Sequence, residues 1–96
     1  MIVKPVKHEK WESEYMQMLK IKEEVLEADN ASRRWMDAIA DGSDADDLKR
    51  DYALKLGDII VACVTELRWG LGYDEEMLDE LMRAVELKNR RRGYYE

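Results

Sequence analysis

Residues 48–67 read LKRDYALKLGDIIVACVTEL, and this stretch indicates the fold of the whole chain. Apolar residues recur in it at steps of three and four, which is the period of one face of an α-helix. Ser43 or Asp44 can cap the start of this helix, and Gly70 and Gly72 favour an end near Trp69. The apolar side of the predicted helix consists of Leu48, Tyr52, Leu56, Ile59, Ile60, Cys63 and Leu67.

Helical patterns also flank this central stretch on both sides. Upstream, apolar residues recur from Trp11 to Ile39 and predict either one long helix or two helices joined near Asn30. Downstream, Asp74 is a predicted cap for a last helix that Gly93 ends. No strand pattern is found, so we expect an all-α fold, an antiparallel bundle of three to four helices. Residues 1–7 form a predicted extended lead-in, and residues 8–96 a single helical domain.

The size and charge of the chain limit its classes of partner. A chain of 96 residues buries only about 60–65% of its unfolded surface, so we expect it to dimerise through part of its 46% hydrophobic content. The net charge of −6 divides into +4 over residues 83–92 and −10 elsewhere, because that segment has five basic residues and one acidic residue. An acidic body argues against nucleic acid or an anionic membrane as the main partner. The basic segment suits a phosphate-rich ligand, or simply complements the dipole of its helix.

The cysteine content and the N-terminus favour a soluble, cytoplasmic protein. Cys63 is the sole cysteine, so no internal disulfide can form, which fits a reducing compartment. Residues 1–7 are too short and too charged to resemble a signal peptide. The longest apolar run, residues 59–64, is far shorter than a membrane span.

Carboxylates lie beside the apolar face on two of the predicted helices. At about 100° per residue, Glu24 and Glu27 lie about 60° apart on the first helix. On the central helix Asp51, Lys55 and Asp58 fall within a similar arc. Carboxylates that border a core are costly unless they are paired or bound to a metal, and Mg²⁺ prefers such oxygen ligands. Glutamate-rich helix faces are, however, usually just solvated.

Three motifs together resemble the MazG-like family of all-α nucleotide pyrophosphohydrolases, particularly its small stand-alone members of the phage type. They are Glu23-Glu24-Val25-Leu26-Glu27, Leu56-Gly57-Asp58-Ile59-Ile60 and the ending Lys88-Asn89-Arg90-Arg91-Arg92-Gly93-Tyr94. The resemblance covers residues 18–94. It implies a cytoplasmic homodimer or higher homo-oligomer that uses Mg²⁺, with Mn²⁺ as the alternative, to hydrolyse a nucleoside triphosphate to the monophosphate and pyrophosphate.

The resemblance assigns a role to individual residues of this chain. Glu24 and Glu27 match the metal-binding ExxE motif, and Asp58 matches the aspartate of ExxD. Asp51 lies one turn from the missing fourth carboxylate and can partly replace it as a metal ligand. Glu23 or Glu27 is the candidate for orienting the attacking water. Trp35 or Trp69 can stack on a base or pack in the core. The remaining substrate-binding candidates are Lys88, Asn89, Arg90 and Arg91.

Lys55 occupies the position where the family has the glutamate of ExxD, and it leaves three alternatives open. It can remove one metal position and leave a weakened enzyme, or bind a phosphate oxygen as a point charge. It can also mark a catalytically lost dimer that binds a nucleotide or a protein partner. A salt bridge from Lys55 to Glu24 or Glu27 is the contact expected of a lost site.

Overall fold

The computed structural model describes residues 3–95, and helices and helical turns are the only regular secondary structure in that range. Residues 1, 2 and 96, which belong to the predicted lead-in and domain, lie outside the described residues. The all-α prediction is confirmed, and the first helix continues without a break past Asn30. The elements are a 3-10 turn at His8–Lys10, α1 at Glu14–Ala40, α2 at Asp46–Thr65, a π-helical turn at Glu66–Gly70 and α3 at Glu75–Arg91.

Side-chain caps fix where two of the three helices begin. Ser13 Oγ accepts the Met16 N–H at 3.1 Å before α1, and the predicted Asp74 cap accepts the Met77 N–H at 2.9 Å before α3. These bonds satisfy amides that have no partner within the first turn of a helix. Ala45 is at the N-cap position of α2 and makes no side-chain capping bond, but Oδ1 of Asp44, one of the two predicted caps, accepts the Asp46 N–H at 3.1 Å.

Helices α1 and α2 form an antiparallel hairpin. Three contacts show the register: Arg34 with Asp51, Glu27 with Lys55, and Gln17 with the backbone of Ala62. Alanines at buried positions let two helices approach closely, because they add little side-chain volume between the backbones. The buried alanines of this hairpin are Ala28, Ala31 and Ala62.

The face of α1 that packs against α2 is not its most apolar face. The buried residues of α1 fall within an arc of about 60°, whereas its exposed large apolar side chains all lie outside that arc. Sequence analysis placed Leu56 and Ile60 on the core side of α2, yet they are 42% and 50% exposed. The other exposed apolar side chains of the three helices include Met18, Val25, Leu26, Met36, Met77, Met82 and Leu87.

Helix α3 and these exposed faces make the chain less compact than its length would allow. On α3 only Leu78 is buried. The radius of gyration is 16.2 Å, against about 12.5 Å expected for a compact domain of this length. The accessible surface is 7374 Å², which exceeds the roughly 5,800 Å² expected for its mass by about 1,600 Å².

None of the helices in residues 3–95 has the length and apolar character needed to cross a bilayer.

Candidate functional site

A cleft of about 560 Å³ lies where the N-terminal segment meets the α1–α2 hairpin. We call it the α1–α2 cleft. It brings together Glu24 and Asp58, two carboxylates that sequence analysis assigned to metal binding and that lie 34 positions apart in the chain. Its complete lining is Val6, Lys10, Gln17, Lys20, Glu24, Asp58, Val61, Ala62 and Thr65.

Glu24 is the most unusual side chain of this cleft. Only 9% of the residue is exposed. Its Oε1 atom lies 3.3 Å from Lys20 Nζ, one turn earlier on α1, but its buried Oε2 atom has no hydrogen-bond partner. A buried acceptor without a partner costs about 1–3 kcal/mol, and more when the group is charged. Glu24 therefore lines the α1–α2 cleft with a carboxylate that has one buried oxygen without a hydrogen-bond partner.

The other charged groups of the cleft are more open to solvent. Asp58 and Lys10 are both exposed, and neither side chain makes a hydrogen bond or ion pair within residues 3–95. The cleft thus contains two carboxylates and two ammonium groups, since Lys20 also lines it. Its formal charge is zero, so a bound divalent cation would make it attractive to a polyanion.

Hydrogen bonds attach the N-terminal segment to the end of α2 and to the π-helical turn that follows it. Residues 6–11 are called the N-terminal strap. The Val6 N–H donates to Thr65 Oγ1 at 3.0 Å, and Trp69 Nε1 donates to the Val6 carbonyl at 2.8 Å. Trp11 Nε1 donates to Glu66 Oε1 at 2.9 Å. The strap therefore forms one wall of the cleft.

Aromatic contacts add to the attachment of the strap. The His8 ring meets Trp69 edge-on at 4.8 Å between centroids and stacks with Trp11 at 6.2 Å. The Arg68 guanidinium lies 4.5 Å from the centroid of the Trp69 ring. Trp69 is thus held between the strap and its own turn, which fits the packing role considered for it from the sequence.

The remaining carboxylates with predicted roles lie outside the lining of the cleft. Glu27 is exposed, and its Oε2 lies 3.7 Å from Lys55 Nζ. Asp51 Oδ2 lies 3.2 Å from Arg34 Nη2, and Glu23 is exposed on α1. Within residues 3–95, no three side chains among His, Cys, Asp and Glu are grouped closely enough to hold a metal ion by themselves.

The predicted substrate-binding residues are also separate from this cleft in the single chain. Lys88 and Arg91 line a shallow depression on α3, and Arg90 Nη2 lies 3.0 Å from Glu86 Oε1. Asn89 is half-buried on the same helix. On α1, Trp35 packs near Tyr52, with ring centroids 6.0 Å apart.

Sequence analysis missed the residues that the strap contributes to the cleft. Lys10 and Val6 precede the first helix, where no periodic pattern marks them. Gln17 could have been found, because residues 17, 24, 28 and 31 follow the steps of seven, four and three residues that a helix–helix seam produces. Gln17 donates from Nε2 to the Ala62 carbonyl at 3.0 Å, across that seam.

No protein-family model, curated protein or solved structure matches this chain. The resemblance to MazG-like enzymes therefore stays a prediction that depends on the three motifs. What the chain does must be argued from the α1–α2 cleft.

Proposed function

We propose that this chain is an Mg²⁺-dependent nucleoside triphosphate pyrophosphohydrolase that converts NTPs or dNTPs to monophosphates and pyrophosphate. The observation that carries the proposal is the buried, partnerless Oε2 atom of Glu24, in a cleft that also contains Asp58. Such an enzyme would cleanse or balance the nucleotide pool. The reaction is inferred from the motifs that resemble MazG-like enzymes, and the candidate residues are those that line the cleft.

The residues of the cleft fit a magnesium ion that binds together with its substrate. Mg²⁺ is usually held by one or two carboxylates, with waters and substrate phosphates completing the octahedron. Glu24 and Asp58 are two such carboxylates, and a metal ion at Glu24 Oε2 would displace no existing hydrogen bond. The ion, with Mn²⁺ as the alternative, would neutralise phosphate charge and favour ionisation of a water.

The protein residues have simpler roles in this proposal. Lys20 remains beside Glu24 and holds that carboxylate in place. Glu23 or Glu27 orients the attacking water. The ion pair of Glu27 with Lys55 does not prevent this, because at 3.7 Å and with Glu27 54% exposed it is worth at most about 1 kcal/mol.

We also propose that the active form is a homodimer or a higher homo-oligomer. The surface excess of about 1,600 Å² per chain matches what each partner buries in an obligate dimer, where both partners together lose about 2,000–5,000 Å². The exposed apolar faces of the hairpin and α3 are the surfaces available for it. A second chain could then bring Lys88, Asn89, Arg90 and Arg91 to the cleft.

Pyrophosphate release from a panel of NTPs and dNTPs with Mg²⁺ tests the proposed function. We expect turnover of at least one substrate, and a loss of 100-fold or more, about 2.7 kcal/mol, in Glu24→Gln. Asp37→Asn is the matched control, because Asp37 is an exposed carboxylate on the same helix and its side chain makes no hydrogen bond or ion pair within residues 3–95. Equal rates in the two variants would exclude Glu24 from the site.

A second candidate function is favoured by one specific contact. The Lys55–Glu27 ion pair is the contact expected of a catalytically lost dimer that binds a nucleotide or a protein partner. A Lys55→Glu variant distinguishes the two candidates in the same assay. A silent natural chain with an active Lys55→Glu variant would support the lost enzyme, whereas turnover by the natural chain would exclude it.

A further inference from the structure

We propose that the N-terminal strap is part of the nucleotide site and that Lys10 contacts the polyphosphate of the bound ligand. This inference rests on the proposed function and extends it to a segment that the motifs do not cover. Three observations carry it: how the strap is held, which cations line the cleft, and which of them are free.

The strap is held as a fixed wall of the cleft. Both backbone groups of Val6 are hydrogen-bonded: the N–H donates to Thr65 Oγ1 at the end of α2, and the carbonyl accepts from Trp69 Nε1 in the π-helical turn. Four residues later, the Lys10 N–H donates to the Lys7 carbonyl at 3.0 Å and closes the 3-10 turn. The backbone of Lys10 is therefore positioned before any ligand arrives, which reduces the entropy lost on binding.

Lys10 and Lys20 are the cations that line the α1–α2 cleft, and only Lys10 is free. Lys20 Nζ lies 3.3 Å from Glu24 Oε1. The Lys10 side chain makes no hydrogen bond or ion pair within residues 3–95 and is exposed. The basic residues of α3 are outside the cleft in the single chain. Lys10 is thus the unpaired cation in the same lining as Glu24 and Asp58.

The chemistry of lysine suits this role. An ammonium group on a flexible stem acts as a compact charge with three donors and follows a phosphate chain without a fixed geometry. A triphosphate keeps negative charge that a single divalent cation does not neutralise. The site therefore favours an additional cation that is not already bound to a carboxylate, and Lys10 meets that requirement.

Binding of inorganic triphosphate with Mg²⁺, measured by isothermal titration calorimetry, tests the inference without assuming a base or a sugar. We expect Lys10→Gln to raise Kd about 10- to 100-fold, the usual effect of losing a charge-assisted hydrogen bond. Lys7→Gln is the matched control, because it removes the same charge from the same segment at a residue that does not line the cleft. The Kd of this variant for triphosphate should change less than about twofold. Lys10→Arg should retain most of the affinity.

The outcomes separate this inference from the proposed function. If the natural chain binds Mg²⁺–triphosphate or releases pyrophosphate, and Lys10→Gln behaves like Lys7→Gln, the proposed function stands and the role of Lys10 is wrong. If the natural chain neither binds triphosphate nor turns over any nucleotide, the proposed function fails and the inference fails with it. Unfolding midpoints of the two glutamine variants should coincide, because both lysines are exposed; a selective drop in Lys10→Gln would indicate a structural role instead.

Discussion

Replacement of Glu24 by methionine should stabilise the protein while removing its ligand-binding capacity. Glu24 is 9% exposed, and one of its carboxylate oxygens is buried without a partner. A site that keeps such a group at a cost in stability does so because the group has another use. Methionine has a similar length and a similar helix propensity, so it can fill the same space without polar atoms that need partners.

The magnitude follows from two opposing effects. Removing the unsatisfied acceptor recovers about 1–3 kcal/mol. Losing the ion pair with Lys20, whose side chain is 59% exposed, costs about 0.2–1 kcal/mol because water and salt screen it. The free energy of unfolding should therefore rise by about 1–2 kcal/mol, which for a domain of this size raises Tm by about 4–16 °C.

Urea unfolding followed by circular dichroism at fixed protein concentration measures this difference directly. Glu27→Met is the matched control, because Glu27 is 54% exposed on the same helix, and its replacement should not raise the free energy of unfolding but lower it by at most about 1 kcal/mol. Mg²⁺ with inorganic triphosphate should raise the midpoint of the natural chain and leave that of Glu24→Met unchanged. A Glu24→Met variant that is less stable than the natural chain would refute the argument, since Glu24 would then be a satisfied structural residue.

Other predictions concern the strap, the turns and the exposed apolar surface. Thr65→Val should lower the free energy of unfolding by about 1–2 kcal/mol, because the hydroxyl accepts the Val6 N–H; unchanged stability in urea unfolding would show that this bond contributes nothing. Gly72→Ala should lower the free energy of unfolding by about 1 kcal/mol in the same assay, because Gly72 has a φ of +72°. Gly57→Ala should raise it by a similar amount, because Gly57 lies inside α2 with open space around it. Ile60→Asp should shift sedimentation towards a monomer, since Ile60 is 50% exposed on the apolar face; a monomeric natural chain at micromolar concentration would contradict the proposed dimer.

The ends of the helices depend on residues that are close to them in the sequence. Asp74 caps α3 as its position predicts, and Gly93, with a φ of +78°, follows the end of that helix. These features could be read from the sequence because a cap or a left-handed glycine acts within one turn of the chain. The continuity of α1 past Asn30 was not decided, because a single residue of modest helix propensity is easily overridden by packing.

The candidate site was predictable only in part. Glu24 and Asp58 were identified by motif, and the structure places both in one cleft. Their differing surroundings were not predictable: Glu24 is buried, whereas Asp58 is exposed. The spacing within a helix gives the face on which a residue lies, but the burial of that face depends on a partner segment far away in the chain.

The sequence by itself determined that this protein is helical, roughly where its helices begin and end, and which carboxylates share a face. Only the tertiary structure decided that the seam of the hairpin runs along Glu24, Ala28 and Ala31 rather than along the large apolar side chains. It also placed the strap against α2 through contacts such as Val6 with Thr65, 59 residues apart. The physical reason is that helix formation is governed by interactions over about four residues, whereas helix pairing depends on how two complete surfaces fit.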